Sequence, residues 1–233
     1  MKVGVIQSNY IPWRGYFDMI ASADLFVFHD DLQYTKGDWR NRNRIKTAQG
    51  SKWITVPVSY KRVSQLICET EINNVTDWWR NHLNQWQAHY SKAPYFEDVL
   101  CLLNQFRQNE DLTISQLNIR LIRAICAYLG IETPMVMSSE LNLCGAKTAR
   151  LIDLLRKTGG TSYLSGPNGD NYLDKELFRK EGLSLYYKTY DYEPYPQLWG
   201  PFDGAVSILD LIANCGPQAK TSMRSTTPDK VIC

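Results

Sequence analysis

The chain has 233 residues, of which 21% are charged and 44% hydrophobic, and its formal net charge is +2. This composition is that of a folded globular protein, which excludes a disordered segment or a polybasic nucleic-acid tail. The length is sufficient for one α/β domain, or two small ones, with a substantial core.

We expect neither a targeting signal nor a cysteine metal motif from this sequence. The first apolar run, residues 3–6, is too short for a signal peptide, and no run approaches the roughly 20 apolar residues of a membrane span. We therefore expect a cytoplasmic protein without a membrane span. The six cysteines are widely separated, with no C-x-x-C pair and no histidine at zinc-ligand spacing, so we expect reduced thiols and no metal site.

The first elements of the chain alternate between strand and helix. Residues 2–7 form a β-branched apolar run, residues 17–24 have helical spacing, and residues 25–31 form a second apolar run that ends in polar side chains. A right-handed crossover through the helix would make the two strands parallel. A third strand is predicted over Lys52–Val58, after a basic connection.

The middle of the chain is helical, and the alternation returns after it. Residues 76–130 contain three consecutive stretches of helical spacing, with Asp77 as the first cap and Gly130 as the last stop. The later strands are predicted over residues 134–139, 161–165 and 183–192, and the later helices over residues 146–160, 174–182 and 205–216.

The simplest architecture is one α/β domain over residues 1–233, with a mostly parallel, Rossmann-like sheet and a helical insertion at 76–130. In such a fold, ligands bind at the carboxyl ends of the strands.

The loop Ser8–Phe17 follows the first strand directly and is the first candidate for binding. Its Gly15 allows a close backbone approach, and the helix N-terminus beside it favours an anion. The residues that could stack on a ring or bond to its edge are Gln7, Asn9, Tyr10, Trp13 and Tyr16. The alternative is a turn whose aromatic side chains pack on the core.

A second candidate, His29–Lys46, begins at the end of the second strand. Residues 36–46 contain five basic residues against one acidic residue, and arginine binds phosphate through two N–H groups at once. The binding candidates are Gln33, Tyr34, Trp39, Arg40, Asn41, Arg42 and Arg44, and the candidates for a general base or metal ligand are Asp31, Asp30 and His29. The alternatives are a solvated basic loop with capping aspartates and a single-stranded nucleic-acid site.

Two further candidates lie later in the chain. Ser165, Gly166 and Asn168 belong to a loop that could wrap a phosphate or a sugar, although it matches neither nucleotide fingerprint and also suits a plain turn. On the last helix, Ser207 and Asp210 share a face. We expect these two side chains to cap and solvate the helix rather than to act in catalysis.

In this order, the segments resemble the WbqC-like family, whose members occur in bacterial surface-polysaccharide (O-antigen) gene clusters. The resemblance covers nearly the whole chain and is carried by the stretches IQSNYIPWRGYFDMIASAD, DDLQYTKGDWRNRNRIKT, WITVPV, KAPYF, YLSGPNGDNYLD and YPQLWGPFDGAVSILDLIANCG. It implies a nucleotide-linked or lipid-linked sugar as substrate, and acyl or aminoacyl transfer to an amino sugar as the reaction. Many members have histidine where this chain has Ile6, so no catalytic role is transferred to that position.

The order of strand, turn, W-R-G-Y and helix is also similar to that of the HxGH-containing adenylylating enzymes such as pantothenate synthetase, in which two histidines face a triphosphate. Trp13 and Tyr16 occupy the histidine positions here. Neither side chain gains a charge near neutral pH as histidine does. The likeness therefore implies a nucleotide-shaped crevice without adenylyl transfer by that mechanism.

These features together predict a cytoplasmic transferase of surface-polysaccharide synthesis that binds a small nucleotide-sugar-like substrate and no nucleic acid. The predicted roles fall to Arg40, Arg42 and Arg44 for phosphate, Trp13 and Tyr16 for a base or sugar, and Asp31 for the general base. Cofactor and oligomeric state stay open.

Two alternatives to this function stay open as well. One is a non-catalytic scaffold subunit of the same pathway, and the other is a nucleotidyltransferase-like enzyme with an altered HxGH motif. Convergence of the three loops on one pocket would favour an enzyme, whereas a broad apolar patch would favour a scaffold.

Overall fold

The computed structural model describes residues 1–106 and 112–233. The strands in chain order are β1 (Lys2–Ile6), β2 (Leu25–Phe28), β3 (Arg42–Thr47), β4 (Gly50–Thr55), β5 (Met135–Met137), β6 (Ser162–Ser165), β7 (Ser184–Tyr187) and β8 (Lys230–Val231). The helices are α1 (Arg14–Ala21), α2 (Trp78–Tyr90), α3 (Phe96–Asn104), α4 (Ile114–Leu129), α5 (Lys147–Thr158), α6 (Lys175–Lys180), α7 (Ile208–Cys215) and α8 (Ala219–Ser222).

Six strands form one sheet in the order β5-β2-β1-β6-β7-β8, and all neighbours are parallel except the short edge pair β7 and β8. The parallel strands have the order of a Rossmann fold, in which the chain winds outward from β1 first in one direction and then in the other. The direction reverses between β1 and β6, so a crevice forms at the carboxyl ends of these strands. The predicted α/β class with a mostly parallel sheet is confirmed.

Alternate residues of the central strands point to opposite faces of the sheet, and both faces are buried. Val3 and Val5 on β1 face a small core that α5 and α6 complete. Phe26 and Phe28 on β2 face a larger core that is shared with α1, α2, α3, α4 and α7. This period of two residues also decides to which side the polar residues beyond the strand ends point.

The first helix of residues 76–130 begins, and the last one ends, as the sequence predicts. The Asp77 side chain accepts a hydrogen bond from a backbone N–H of the first turn of α2, and Gly130 ends α4 with a φ of 64°. α2, α3 and α4 share the larger core with the sheet. The division into one domain with an insertion at 76–130 stays a prediction, and residues 107–111 of that insertion lie outside the described part of the chain.

The predicted third strand, Lys52–Val58, is shifted and lies outside the main sheet. β4 pairs antiparallel with β3 in a separate two-stranded hairpin. The second part of the basic stretch of residues 36–46 is therefore itself a strand. Asn43, Ile45, Lys46 and Thr47 of β3 are buried, and Arg44 is half-buried. Because three of these four buried side chains are polar, the apolar alternation that indicates a strand is absent from the sequence.

Two other boundaries differ from the prediction. α1 begins at Arg14, with Trp13 in the cap position, so the end of the predicted binding loop is helical. The strand predicted over residues 183–192 ends at Tyr187. The next side chain, Lys188, is buried and places its ammonium 2.9 Å from each of two carboxylates, and the chain leaves the sheet there.

His82 on α2 joins three parts of the larger core. Its Nδ1 lies 2.8 Å from the Tyr10 hydroxyl, and its Nε2 lies 3.1 Å from the Thr55 carbonyl oxygen. Because a carbonyl oxygen only accepts, Nε2 carries a proton, and in the neutral ring Nδ1 accepts from the Tyr10 hydroxyl. Burial lowers the pKa of His82 from 6.5 to about 4. Between these values the unfolded chain binds more protons than the folded chain, so the free energy of unfolding rises with pH across this window.

The variant His82→Gln should flatten the acid side of the stability profile. From pH 6.5 to about 5, the wild-type chain should lose about 2 kcal/mol of unfolding free energy through this side chain, and the variant should lack this loss. Urea unfolding at a series of pH values measures the difference, with His89→Gln on the same helix as the control. An equal acid slope in wild type and His82→Gln would contradict a neutral, buried imidazole.

Candidate functional site

Three consecutive polar residues follow β2, and the period of two residues sends them to opposite sides. Asp30 points into the larger core, where it is buried. It accepts hydrogen bonds from the Ser8 N–H at 2.7 Å and from the Ser115 hydroxyl. Its carboxylate ties the loop after β1 to α4, which is a structural role. His29 and Asp31 point to the other face, toward α5.

A crevice with a volume of about 580 Å³ lies on that face, at the carboxyl ends of β1 and β6. This is the switch point of the sheet, where open α/β sheets bind their ligands. Val5 and Leu151 contribute apolar surface to it. The polar side chains around the crevice are Gln7, His29, Lys147, Arg150, Tyr163, Asn171 and Tyr172.

Arg150, in the first turn of α5, joins His29 and Asp31 into one cluster. Its guanidinium forms an ion pair with Asp31 and donates to the Leu143 carbonyl oxygen at 3.0 Å. Its Nε lies 3.3 Å from Nε2 of His29. The second oxygen of Asp31 accepts a hydrogen bond from the Ser138 hydroxyl. Because both carboxylate oxygens are engaged, Asp31 holds Arg150 in place.

The His29 imidazole is neutral near neutral pH. Burial lowers the pKa of His29 below its usual 6.5, the Asp31 carboxylate opposes this shift, and the Arg150 guanidinium adds to it. A neutral imidazole whose Nε2 faces a cation keeps its lone pair on that nitrogen. Such a nitrogen can accept a proton from a substrate.

Lys147 begins α5 at the crevice. Its φ is 51°, in the left-handed region that residues other than glycine rarely adopt, and backbone strain of this kind clusters at functional sites. Its ammonium makes no ion pair with any residue that the structure describes. The cap residue, Ala146, offers no side-chain acceptor to the N–H groups of the first turn, which form the positive end of the helix dipole.

Of the three arginines predicted to hold phosphate, one contacts the crevice. The Arg40 guanidinium donates to the side-chain oxygen of Asn9 and, at 3.3 Å, to that of Gln7, so it brings the first loop and the basic segment together. Arg42 and Arg44 instead lie on the hairpin, 4.2 and 5.7 Å from the ring centre of an exposed tryptophan of β4. The three guanidinium groups therefore do not form one phosphate site.

The predicted stacking residues divide into buried and accessible ones. Tyr10, Tyr16 and Tyr34 are at most 2% exposed, so none of them presents a free ring face to a ligand. Trp13 and Trp39 line a second pocket, with a volume of about 270 Å³.

The predicted third binding loop reaches the crevice through its last residues and not through the three named as binding candidates. Ser165 is buried. Asn171 and Tyr172 line the crevice, whereas Gly166 and Asn168 are not part of its lining.

The two remaining amides of the basic segment have separate surroundings. Asn41 is buried and donates to the Val56 carbonyl oxygen at 2.8 Å. Gln33 is exposed and forms a β-bridge with Leu66. Neither lines the crevice.

The last helix confirms one expectation and corrects another. Ser207 caps α7, since its hydroxyl accepts a hydrogen bond from the Leu209 N–H at 3.2 Å. The prediction that Asp210 faces solvent is wrong. Its carboxylate is buried and accepts hydrogen bonds from the hydroxyls of Tyr90 and Tyr195, each at 2.7 Å, and burial raises the pKa of Asp210. This cluster joins α7 to α2.

Lys147, Arg150 and Tyr172 are crevice residues that the sequence did not single out. For the first two, a signal was available, because they begin the helix after β5, and crossover helices of a parallel sheet begin at its ligand-binding edge. Tyr172 had no comparable signal. Within residues 1–106 and 112–233, no three His, Cys, Asp or Glu side chains are placed to hold a metal ion.

The protein is of the α/β class, with a Rossmann-like sheet and a polar crevice at the switch point of that sheet. The chain belongs to the WbqC-like protein family, whose model matches residues 7–222. It is 48% identical over 226 residues to the uncharacterised protein Rv1507c of Mycobacterium tuberculosis, and the match covers 96% of this chain and 97% of the relative. No solved structure matches the chain. In the described part of the chain, no helix combines the length and apolar character that a membrane crossing requires.

The charges around His29 should control its titration. Arg150→Gln should raise the pKa of His29 because a nearby cation is removed, and Asp31→Asn should lower it because the carboxylate favours the imidazolium. NMR signals of the imidazole across a pH titration measure both shifts, and His89 is the internal control. A rise of the His29 pKa in Asp31→Asn would contradict the described cluster.

Proposed function

We propose that this chain is a transferase that binds a nucleotide-linked sugar in the crevice at the carboxyl ends of β1 and β6. The observation that carries the proposal is the pair of cations Lys147 and Arg150, in the first turn of α5, beside the neutral imidazole of His29. Following the family resemblance, we place the reaction in the cytoplasmic synthesis of surface polysaccharide, with acyl or aminoacyl transfer to an amino sugar as the expected chemistry.

The charge distribution of the crevice supports an anionic substrate. Asp31 balances the charge of Arg150, whereas Lys147 has no such partner among the described residues, so one cation is available to a diphosphate. The first-turn N–H groups of α5 favour the same ligand. The volume of about 580 Å³ falls within the range of about 300–1,000 Å³ of small-molecule sites. Tyr172 is 65% exposed and offers a ring face to a base or sugar.

His29 is the general base in this proposal, and Asp31 is a positioning residue. When a sugar hydroxyl or amine attacks the acyl carbon of the donor, a new bond forms to that carbon and the bond between it and the donor's carrier breaks. The neutral Nε2 of His29 can accept the proton that the attacking group loses and return it to the departing carrier. The separation of 3.3 Å between this nitrogen and Nε of Arg150 is long for a hydrogen bond. A substrate group can therefore replace Arg150 at this position, and the Asp31 carboxylate stabilises the imidazolium that forms.

A non-catalytic binding protein is the second candidate. The observation that favours it is the separate surface on the hairpin, where Arg42 and Arg44 stack near Trp39 and Trp53, which are 40% and 42% exposed. A surface of exposed aromatic and cationic side chains also suits a protein partner. A transferase would turn over its substrate and a binding protein would not, so a turnover assay distinguishes the two candidates.

The variant Lys147→Ala should weaken the binding of UDP-glucose, a representative nucleotide sugar, by about 10-fold or more. The physical reason is that a hydrogen bond to a charged group contributes about 1.5–3 kcal/mol. Isothermal titration calorimetry measures the affinity. Lys180→Ala removes the same charge from an exposed position on α6 and should bind as the wild type does. Equal affinities of Lys147→Ala and wild type would place the anion elsewhere.

The variant His29→Gln should bind UDP-glucose normally but lose transfer activity by a factor of about 10²–10⁴, the usual contribution of a general base. Thermal-shift screening of wild type against nucleotide sugars and acyl donors first selects the substrates, since a ligand at 100 times its Kd adds about 2.7 kcal/mol of stability. Single-turnover rates then compare wild type, His29→Gln and the control His89→Gln. An unchanged rate in His29→Gln would remove this residue from the mechanism, and no turnover in wild type would favour the binding protein.

A further inference from the structure

A second pocket adjoins the loop after β1. It has a volume of about 270 Å³ and is lined by Asn9, Pro12, Trp13, Trp39, Asn43 and Ala205. All of these residues are uncharged, which distinguishes the pocket from the cationic crevice. We propose that this site, the tryptophan pocket, binds the pyranose ring of a sugar.

Two indole rings in the lining are fixed in place by their neighbours. The Trp39 ring is 40% exposed and packs against Trp53, with ring centres 5.0 Å apart. The Trp13 ring packs edge-on against two tyrosines, with ring centres 5.0 and 5.8 Å apart. It also lies so close to Gly15 that a Cβ atom there would come within 2.4 Å of the ring. Both rings are thus positioned before a ligand arrives, which reduces the entropy lost on binding.

The backbone beside the pocket is strained and is clamped by hydrogen bonds. Ile11 has a φ of 34°, a conformation that a β-branched residue rarely adopts. The Asn43 amide donates to the carbonyl oxygens of Tyr10 and Ile11 at 3.0 and 2.8 Å. The Ile208 N–H donates to the Pro12 carbonyl oxygen at 2.8 Å. The hairpin and α7 therefore hold this loop in a strained form, as is common at ligand sites.

The size and chemistry of the pocket favour one uncharged ring. Its volume of about 270 Å³ is just below the range of about 300–1,000 Å³ of sites for drug-sized ligands. The C–H groups of a pyranose ring can pack on the indole faces of Trp13 and Trp39. The amide N–H groups of Asn9 have no partner among the described residues, so they can donate to a ring hydroxyl.

Arg40 connects the tryptophan pocket to the crevice. Its guanidinium donates to the Asn9 oxygen of the pocket and to the Gln7 oxygen of the crevice. The pyranose can therefore be the sugar of a nucleotide sugar whose diphosphate lies in the crevice, or it can be a second sugar. The assignment of the pyranose to a nucleotide sugar rests on the proposed function, whereas the proposal that the pocket binds a pyranose does not.

NMR titration with the methyl glycosides of glucose, galactose and N-acetylglucosamine tests the proposal. We expect saturable binding of at least one glycoside with a Kd of about 1 mM, the order of affinity available to so small a ligand. Trp39→Ala should weaken this binding about 10-fold, whereas Tyr95→Ala, which removes an equally exposed aromatic ring outside the lining, should change it less than about 2-fold. Gly15→Ala should also weaken it, because the new Cβ displaces the Trp13 ring. Thermal unfolding verifies that each variant is folded.

Three results would overturn the proposal: no saturable binding of any of the glycosides, equal losses in Trp39→Ala and Tyr95→Ala, or Trp39-dependent binding of uridine without the glycosides. Competition between UDP-glucose and a bound glycoside would support the pocket and identify the ring as that of the nucleotide sugar. Simultaneous binding of both would support the pocket with a second sugar as its ligand. A failure of UDP-glucose to bind, while glycosides still bind through Trp39, would count against the proposed function and not against the tryptophan pocket.

Discussion

The site depends on the hydrogen bonds that the buried carboxylate of Asp30 accepts. A buried carboxylate is costly unless its oxygens find donors, and here the Ser8 N–H and the Ser115 hydroxyl supply them. These bonds fix the ends of β1 and β2 against α4. Because neighbouring residues of an extended chain point to opposite sides, the inward position of Asp30 directs His29 and Asp31 toward α5.

His29 and Asp31 meet their partner on α5 because the crossover direction reverses at this point of the sheet. α5 leaves the sheet edge after β5 and crosses back to β6, so its first turn brings Lys147 and Arg150 to the carboxyl ends of the central strands. Arg40 lies between the cationic crevice and the uncharged tryptophan pocket. In the proposed function, this division allows the anionic and neutral parts of a sugar substrate to be recognised by different surfaces.

Much of the fold could be predicted from local patterns, because its strands are short apolar runs and its helices have clear caps such as Asp77 and Gly130. The hairpin was harder to predict, since Asn43 and Thr47 occupy inward positions of β3 where apolar residues are expected. The site could be predicted only in part. The polar residues after β1 and β2 were indicated by their position, but Arg150 meets Asp31 across 119 residues of sequence, and no local pattern reveals such a contact. The burial of Asp210 depends in the same way on the distant Tyr90.

A crystal structure of the wild-type protein with UDP-glucose is the most direct test of the proposed crevice. We predict diphosphate oxygens within hydrogen-bond distance, about 2.7–3.2 Å, of Nζ of Lys147 and of first-turn N–H groups of α5, with the His29 imidazole facing the bound substrate. A diphosphate held by Arg42 and Arg44 on the hairpin, without contact to α5, would contradict the crevice as the substrate site.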